Sequence, residues 1–449
     1  MRPGCEGAGP QGRIYRSSVA EPSLAVDPSN PLHLVGAWQQ DRWATAGASA
    51  QLASVTWDGG MTWSGSAPAF SRCTGGTAAN GGDYQLISDP WVSIAPNGDV
   101  YQMTIAFDSP QDPSGQNAML VSKSTDGGLT WGAPKTLIRE TIASGFNDKN
   151  SLTADPYDSS YVYAIWQREL MAEETPATPD VEEAVFTRTT DGGRTWETPR
   201  PILAPAGMSA SGHVIQVLPG GALVDVFTLN HQSGDTELHD LEAMRSTDKG
   251  TTWSLPVLIA PMQTVDLVDP YSTFTVRPTP DNIVSAAVDR ATGALYVTWT
   301  SGQFSGGNYS DIALSSSTDG ALTWSKPIKI NLTQGNTVAF VPTLAVLDGG
   351  TIGVSYYDLR NNTPDQLGIL ANHWLTFCSS ACGSSESWRE LNVAGPFDLQ
   401  RAPYARGFFM GDYMGIAGNG GSFDLLYVTP TPLGDPSVTA AYFVTVTPR

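Results

Sequence analysis

The stretch STDGGLTW at residues 124–131 decides the fold, because it recurs. The chain also reads TWDGGMTW at 56–63, TTDGGRTW at 189–196, STDKGTTW at 246–253 and STDGALTW at 317–324. Each copy fits Ser/Thr-x-Asp-x-Gly-x-Thr-Trp, save that Ala321 takes the Gly place in the last. The third-position residues are Asp58, Asp126, Asp191, Asp248 and Asp319, spaced 57 to 71 residues apart. Repetition at that period means an array of similar units, not one irregular core.

The motif has its own local physics. An Asp carboxylate accepts from nearby backbone N–H groups and closes a turn on itself. Gly supplies the positive φ that other residues resist. Thr then begins a strand, and Trp buries a large ring beneath the turn. The five Asp residues therefore read as scaffold, not as catalysts. Around them run short segments rich in Val, Ile, Tyr and Trp, separated by Gly, Pro and Asn, four to a repeat. Seven such units can be traced. The sixth has CSSACGSSESW where the motif would stand, and the seventh, ending in AAYFVTVT, lacks a fourth strand. RIYRSS (13–18), in an N-terminal tail covering residues 1–20, is expected to supply that strand and close the ring.

The repeated turn is the Asp box. From Glu21 to Pro448 the chain resembles the sialidase-like Asp-box (BNR repeat) β-propeller proteins. The resemblance implies an all-β fold. It implies one β-propeller domain over residues 1–449, built of four-stranded blades with the Asp boxes at third-to-fourth strand turns. Seven blades are expected, with six, as in authentic sialidases, the alternative. It also implies that ligands bind at the other end of the ring. Such propellers host several chemistries, so fold alone does not give activity.

Composition narrows the partners. A net charge of −20 opposes nucleic-acid phosphates and an anionic membrane surface. An acidic sugar can still bind where Arg residues are focused in one cleft. There is no run of 18 apolar residues for a membrane span. The opening MRPGCEGAGPQG has no apolar stretch, so a natural export signal is expected to have been removed and the mature protein to be extracellular. Of the four cysteines, Cys5 is expected to pair with Cys73 and Cys378 with Cys382. No His stands at zinc-like spacing from them. The acidic, Pro-rich stretch at 172–183 reads as a long exposed loop. The chain is expected to be monomeric.

Polar residues near the ends of first and second strands are the candidates for chemistry. Glu21, Asp89, Asp148 and Asp412 sit where innermost strands begin, and Tyr413 follows. Crowded carboxylates raise one another's pKa and give one acid and one base. The bland readings are turn capping, or ligation of a structural Ca2+ by the same oxygens; no cofactor is otherwise required and no other metal is expected. Three second strands end with Arg beside a carboxylate, in QQDRW (39–43), QRE (167–169) and YYDLRNN (356–362). Arg42, Arg168 and Arg360 are expected to converge on one anionic group, since the guanidinium fork matches a carboxylate. The bland reading pairs each with its neighbour, Asp41, Glu169 or Asp358. Trp43, Lys149, His231 and Arg406 complete the substrate-binding set, with Asp41 and Asp358. Trp43, Trp91 and Phe304 could serve as sugar platforms. Tyr356 and Tyr357 read mainly as core, and His213 and His231 mainly as loop residues.

Authentic sialidases anchor their substrate with an Arg-Ile-Pro motif in the first blade. Here that strand reads AEPSLAV, with Glu21 in the Arg place, and Arg13-Ile14-Tyr15 lacks the Pro. True sialidase activity is therefore not expected. Three readings follow: a sialidase-like glycoside hydrolase cleaving an acidic glycan with a carboxylate pair and Arg anchors; a polysaccharide lyase removing the C5 proton of a uronate; or a non-catalytic glycan- or protein-binding propeller.

Overall fold

The computed structural model describes residues 12–448, apart from 46, 110–114, 142, 171–180, 205–207, 234–235, 273, 277–282 and 336. All the sheets are antiparallel, and among the described residues the only helices are four single 3-10 turns. The first sheet holds β1 (Ile14–Asp27), β2 (Asn30–Trp43), β3 (Ala48–Thr56), β4 (Ser64–Ser66), β5 (Leu86–Ile94), β6 (Val100–Phe107), β7 (Gln116–Ser124) and β8 (Lys135–Thr141). The second holds β9 (Gly145–Ala154), β10 (Val162–Leu170), β11 (Val181–Thr189) and β12 (Arg200–Leu203). The third holds β13 (Met208–Val217), β14 (Leu223–Ser233), β15 (Thr236–Ser246) and β16 (Val257–Met262). The fourth holds β17 (Ser285–Val288), β18 (Leu295–Ser301), β19 (Asp311–Ser317) and β20 (Ile328–Lys329). The fifth holds β21 (Ala339–Val346), β22 (Ile352–Asp358), β23 (Leu370–Cys378) and β24 (Arg389–Asp398). The sixth has three strands, β25 (Gly415–Asn419), β26 (Ser422–Pro430) and β27 (Thr439–Val446).

Seven units are expected from the sequence, and six sheets are observed. The first eight strands count as one sheet because β3 and β5 meet at a single pair, Ala48 with Ile87. RIYRSS does not complete the last sheet. Ile14 and Tyr15 pair with Trp43 and Arg42, so the segment extends β1 along its own neighbour. The expected tail thus becomes strand from residue 14 onwards.

Two compact units divide the chain: Met1–Ile215 with Leu229–Glu237, and Gln216–Thr228 with Leu238–Arg449. The core of the first is an apolar cluster around Met103, Met119 and Trp166, all fully buried. The second buries Trp299 with Leu295 and Val297, and Tyr356 with Val354. Each core forms where alternate residues of the short strands point inward.

The five repeated turns all join a third strand to a fourth. In the first, Asp58 Oδ1 accepts from Thr62 N at 2.8 Å and Oδ2 from the Thr62 hydroxyl at 2.6 Å. Asp126, Asp191, Asp248 and Asp319 accept in the same way from Thr130, Thr195, Thr252 and Thr323. These bonds hold the carboxyls of Asp58 and Asp126 at about 2, the Thr62 and Thr130 hydroxyls acting most strongly. The motif Trp is half-buried in every copy, not sunk in the core. The sixth turn is closed by Cys378–Cys382, with an S–S distance of 2.11 Å. The expected Cys5–Cys73 bridge has one end outside the described residues. Most of the acidic loop also lies outside them, but Glu182 and Glu183 belong to β11 and pair in register with Glu169 and Arg168. No helix among the described residues is long and apolar enough to cross a membrane.

Candidate active site

First strands share a bulge, and it organises the first unit's polar residues. Glu21 and Pro22 in β1 face one residue of β2, because the register jumps from Ala20–Gln39 to Ser23–Ala37. Asp89 and Pro90 in β5, Lys149 and Asn150 in β9, and Val341 and Pro342 in β21 lie in the same two-against-one arrangement. The leading residue is left-handed each time: φ is 51° at Glu21, 53° at Asp89, 52° at Lys149 and 56° at Val341. Such a conformation costs a non-glycine residue on the order of 1–3 kcal/mol and clusters at functional sites. A bulge also re-aims a side chain out of the ladder. The candidates therefore sit inside first strands, not in the loops before them. In β9 the equivalent residue is the cation Lys149 rather than Asp148, whose carboxylate accepts from Lys149 N at 2.8 Å.

Gln39 joins two of these bulges. Its amide N–H donates to Glu21 Oε2 and, at 3.0 Å, to Ser88 Oγ. The Ser88 hydroxyl donates to Asp89 Oδ1 at 2.7 Å. Arg42 donates to Gln39 Oε1 at 2.5 Å, which fixes which way the amide points. Asn150 donates to the Asp89 carbonyl at 3.1 Å and ties the third bulge to the second. Glu21 and Asp89 are 2% and 6% exposed, so this is a recessed pair of carboxylates linked through Gln39 and Ser88. Gln39, Ser88 and Asn150 escape sequence reasoning because they resemble ordinary strand residues. One signal was available: Pro22, Pro90 and Pro342 recur at one place in strands that would otherwise need an N–H there.

The other candidates have different company. Asp41, left-handed at φ 61°, accepts from Ser17 N at 2.6 Å and from the Gln40 amide at 3.0 Å, and so pins the start of β1. Trp43 and Trp91 pack against the first unit's core, and Phe304 against the second's, so none stands clear as a platform. Arg168 pairs with Glu140 and, at 3.2 Å, with Glu183. His231 is half-buried near the end of β14, and His213 is buried within β13.

In the second unit, Arg360 is enclosed. It donates to Asp358 Oδ2 at 2.5 Å, to Glu390 Oε2 at 2.8 Å, and to the hydroxyls of Thr333 and Tyr356 at 2.7 Å each. Its guanidinium lies 3.8 Å over the Trp374 ring. Tyr356 donates to Glu390, and Trp374 to Asp358 at 2.9 Å. Burial pushes the Asp358 carboxyl up against the opposing pull of Arg360, and holds the Tyr356 phenol well above its ordinary range. Arg168 and Arg360 are thus each paired with carboxylates of their own unit. Asp412 and Tyr413 are buried in the approach to β25, and Arg406 is exposed and left-handed at φ 65°. Among the described residues no group of three or more His, Cys, Asp or Glu is placed to hold a metal ion.

No protein-family model matches the chain. A sialidase from Micromonospora viridifaciens is 30% identical over 183 residues, which cover 36% of this chain and 28% of that protein. Among solved structures, the Hadza microbial sialidase Hz136 matches with a TM-score of 0.50 at 13% identity, over 94% of this chain and 74% of that one. The α-L-arabinofuranosidase Arb93A of Fusarium graminearum gives a TM-score of 0.48 at 13% identity, over 97% and 95% of the two chains. The matched segment is little more than a quarter of the Micromonospora sialidase. The likeness to Hz136 shows that the chain has a sialidase-like fold.

Proposed function

We propose that the chain is an extracellular glycoside hydrolase on a seven-bladed, Asp-box β-propeller, cleaving an acidic glycan with Glu21 and Asp89 as its acid/base pair. The observation that supports this is the Gln39 bridge. Two recessed carboxylates stand on equivalent strained bulges, and one amide donates to Glu21 directly and reaches Asp89 through the Ser88 hydroxyl. Hydrolysis of a glycosidic bond asks for two carboxyl groups, one protonating the leaving oxygen and one activating water or attacking the anomeric carbon. Arg42, bonded to Gln39, and Lys149, on the third bulge, supply the positive charge for an acidic ring. The reaction needs no metal or cofactor.

A non-catalytic glycan-binding propeller is the second reading, and it draws on the enclosed states of Arg168 and Arg360. The same enclosure weakens the lyase reading, which needs an uncommitted guanidinium against a uronate. The test is a screen of purified protein on sialosides, uronate polysaccharides and neutral plant glycans, following reducing ends and ultraviolet absorbance of unsaturated products together. New reducing ends alone, lost in Glu21→Gln and Asp89→Asn, support the hydrolase. Both signals rising together would mean β-elimination. Silence on every substrate would leave the binding propeller.

A further inference from the structure

A cavity of about 500 Å3 lies at the other end of the first unit's strands. Its walls include Tyr101 of β6, Lys123 of β7, Thr130 and Trp131 of the second repeated turn, Lys135 of β8, and Trp196 of the third turn. Tyr101 pairs in register with Ser93 and Lys123, whereas Asp89 follows Ser88, which pairs with Ile105. Ser93 lies four steps along β5 from Asp89, roughly 13 Å at strand rise, so one sugar ring cannot touch both places.

Three features make it a built site. The first is charge: the chain carries 44 acidic against 24 basic residues, yet this lining has two lysines and no carboxylate. Lys123 is held in place by Asp99 at 2.6 Å and the Gly192 carbonyl at 2.8 Å, while Lys135 is exposed. The second is the pair of indoles. Trp131 and Trp196 are half-buried, and Trp131 is fixed by a bond from Nε1 to Ser66 Oγ at 3.0 Å. Fixed aromatic rings beside polar groups suit the alternating apolar and hydroxylated faces of sugars. The third is Gly193, where an added Cβ would come within 2.9 Å of the Tyr101 ring and fill the wall.

We propose that this cavity binds a short oligosaccharide carrying a carboxylate, as an anchoring site separate from the Glu21–Asp89 pair. The carboxylate meets Lys135, and the sugar faces lie against Trp131 and Trp196. The site is independent of whether the chain is an enzyme.

Calorimetric titration of the full chain with 3′-sialyllactose, trigalacturonate and uncharged cellotriose tests it, in a Glu21→Gln background so that no probe is consumed. One anionic probe is expected to bind more tightly than cellotriose. Lys135→Glu should weaken it about tenfold, and Trp196→Ala by at least as much. Lys135 is exposed, so its variant reports even if Trp196→Ala fails to fold. Equal binding of neutral and anionic probes, no binding of any, or binding that Lys135→Glu leaves unchanged would overturn the proposal.

Discussion

QQDRW and YYDLRNN look alike in sequence, each ending a second strand with Arg beside Asp, yet they build opposite environments. Around Arg360, two carboxylates, two hydroxyls and an indole face take up the cation, and Asp358 is fully buried in the process. Around Arg42, the cation reaches an amide, and that amide reaches Glu21 directly and Asp89 through Ser88. The first arrangement neutralises its carboxylates and is a brace. The second links its carboxylates through an amide and a hydroxyl. Chemistry at a glycosidic bond needs the second kind, since an acid and a base must both be able to exchange protons.

Breaking the active pair should give the largest effect. Glu21→Gln or Asp89→Asn is expected to lower kcat by roughly 10²–10⁴-fold while the folded protein survives, because the amide keeps shape and removes only proton exchange. Steady-state kinetics beside a thermal melt checks this; a fall in Tm that tracks the lost activity would demote both residues to structure. Arg360→Met should do the reverse. It leaves Asp358 and Glu390 recessed without their cation, a loss of about 3–5 kcal/mol in denaturant unfolding. Activity per folded molecule should be kept. If kcat falls with stability unchanged, Arg360 is a substrate anchor and the comparison fails.

The repeats were legible in the sequence because their turn is local. Asp58 meets Thr62 four residues on, and every later copy does the same, so spacing alone carries the geometry. The strands followed from alternation and turn residues. The networks were not legible, because their partners come from distant strands. Arg168 meets Glu140, 28 residues away, and Arg360 meets Glu390, 30 away. Gln39 reaches Ser88 across 49 residues. The nearby acids that the sequence offers are a partial guide: Asp358 does pair with Arg360, two residues on, but Glu390 and Glu140 come from other strands. Glu21 and Asp89 are expected where innermost strands begin, but they lie inside β1 and β5, where the bulge is what aims them.

A third prediction compares the units through their response to acid. His373 in the second unit is fully buried between the Tyr357 and Tyr427 rings, 4.7 and 4.4 Å away, and neither ring nitrogen has a hydrogen-bond partner among the described residues. Burial holds it neutral, with its pKa down at about 3 from an ordinary 6.5. The unfolded chain therefore takes up a proton below pH 6.5 that the folded chain refuses until about pH 3. Stability is full above 6.5 and falls through that window, by on the order of 2 kcal/mol at pH 5. His373→Phe should remove that part of the slope between pH 7 and pH 5, whatever it does to stability at pH 7. An unchanged slope would mean that the imidazole already meets a proton in the folded state.

The smallest effect concerns one position of the repeated turn, where the units differ by a methyl. Gly193 in the first unit and Ala321 in the second occupy the same place, both left-handed, at φ 81° and 70°. Ala321 tolerates it because its N–H still reaches Ser317 Oγ at 3.0 Å and its methyl joins the apolar cluster around Trp299. Gly193 has no such room, with the Tyr101 ring 2.9 Å from where a Cβ would stand. Gly193→Ala is therefore expected to cost about 1–2 kcal/mol, from left-handed strain and the clash together. Ala321→Gly should fall within about 0.5 kcal/mol of neutral, since relief of strain offsets the lost methyl contact and the freer unfolded chain. Urea unfolding of the two variants decides it. Equal costs at both positions would mean that the turn itself, not what packs beneath it, sets the demand for glycine.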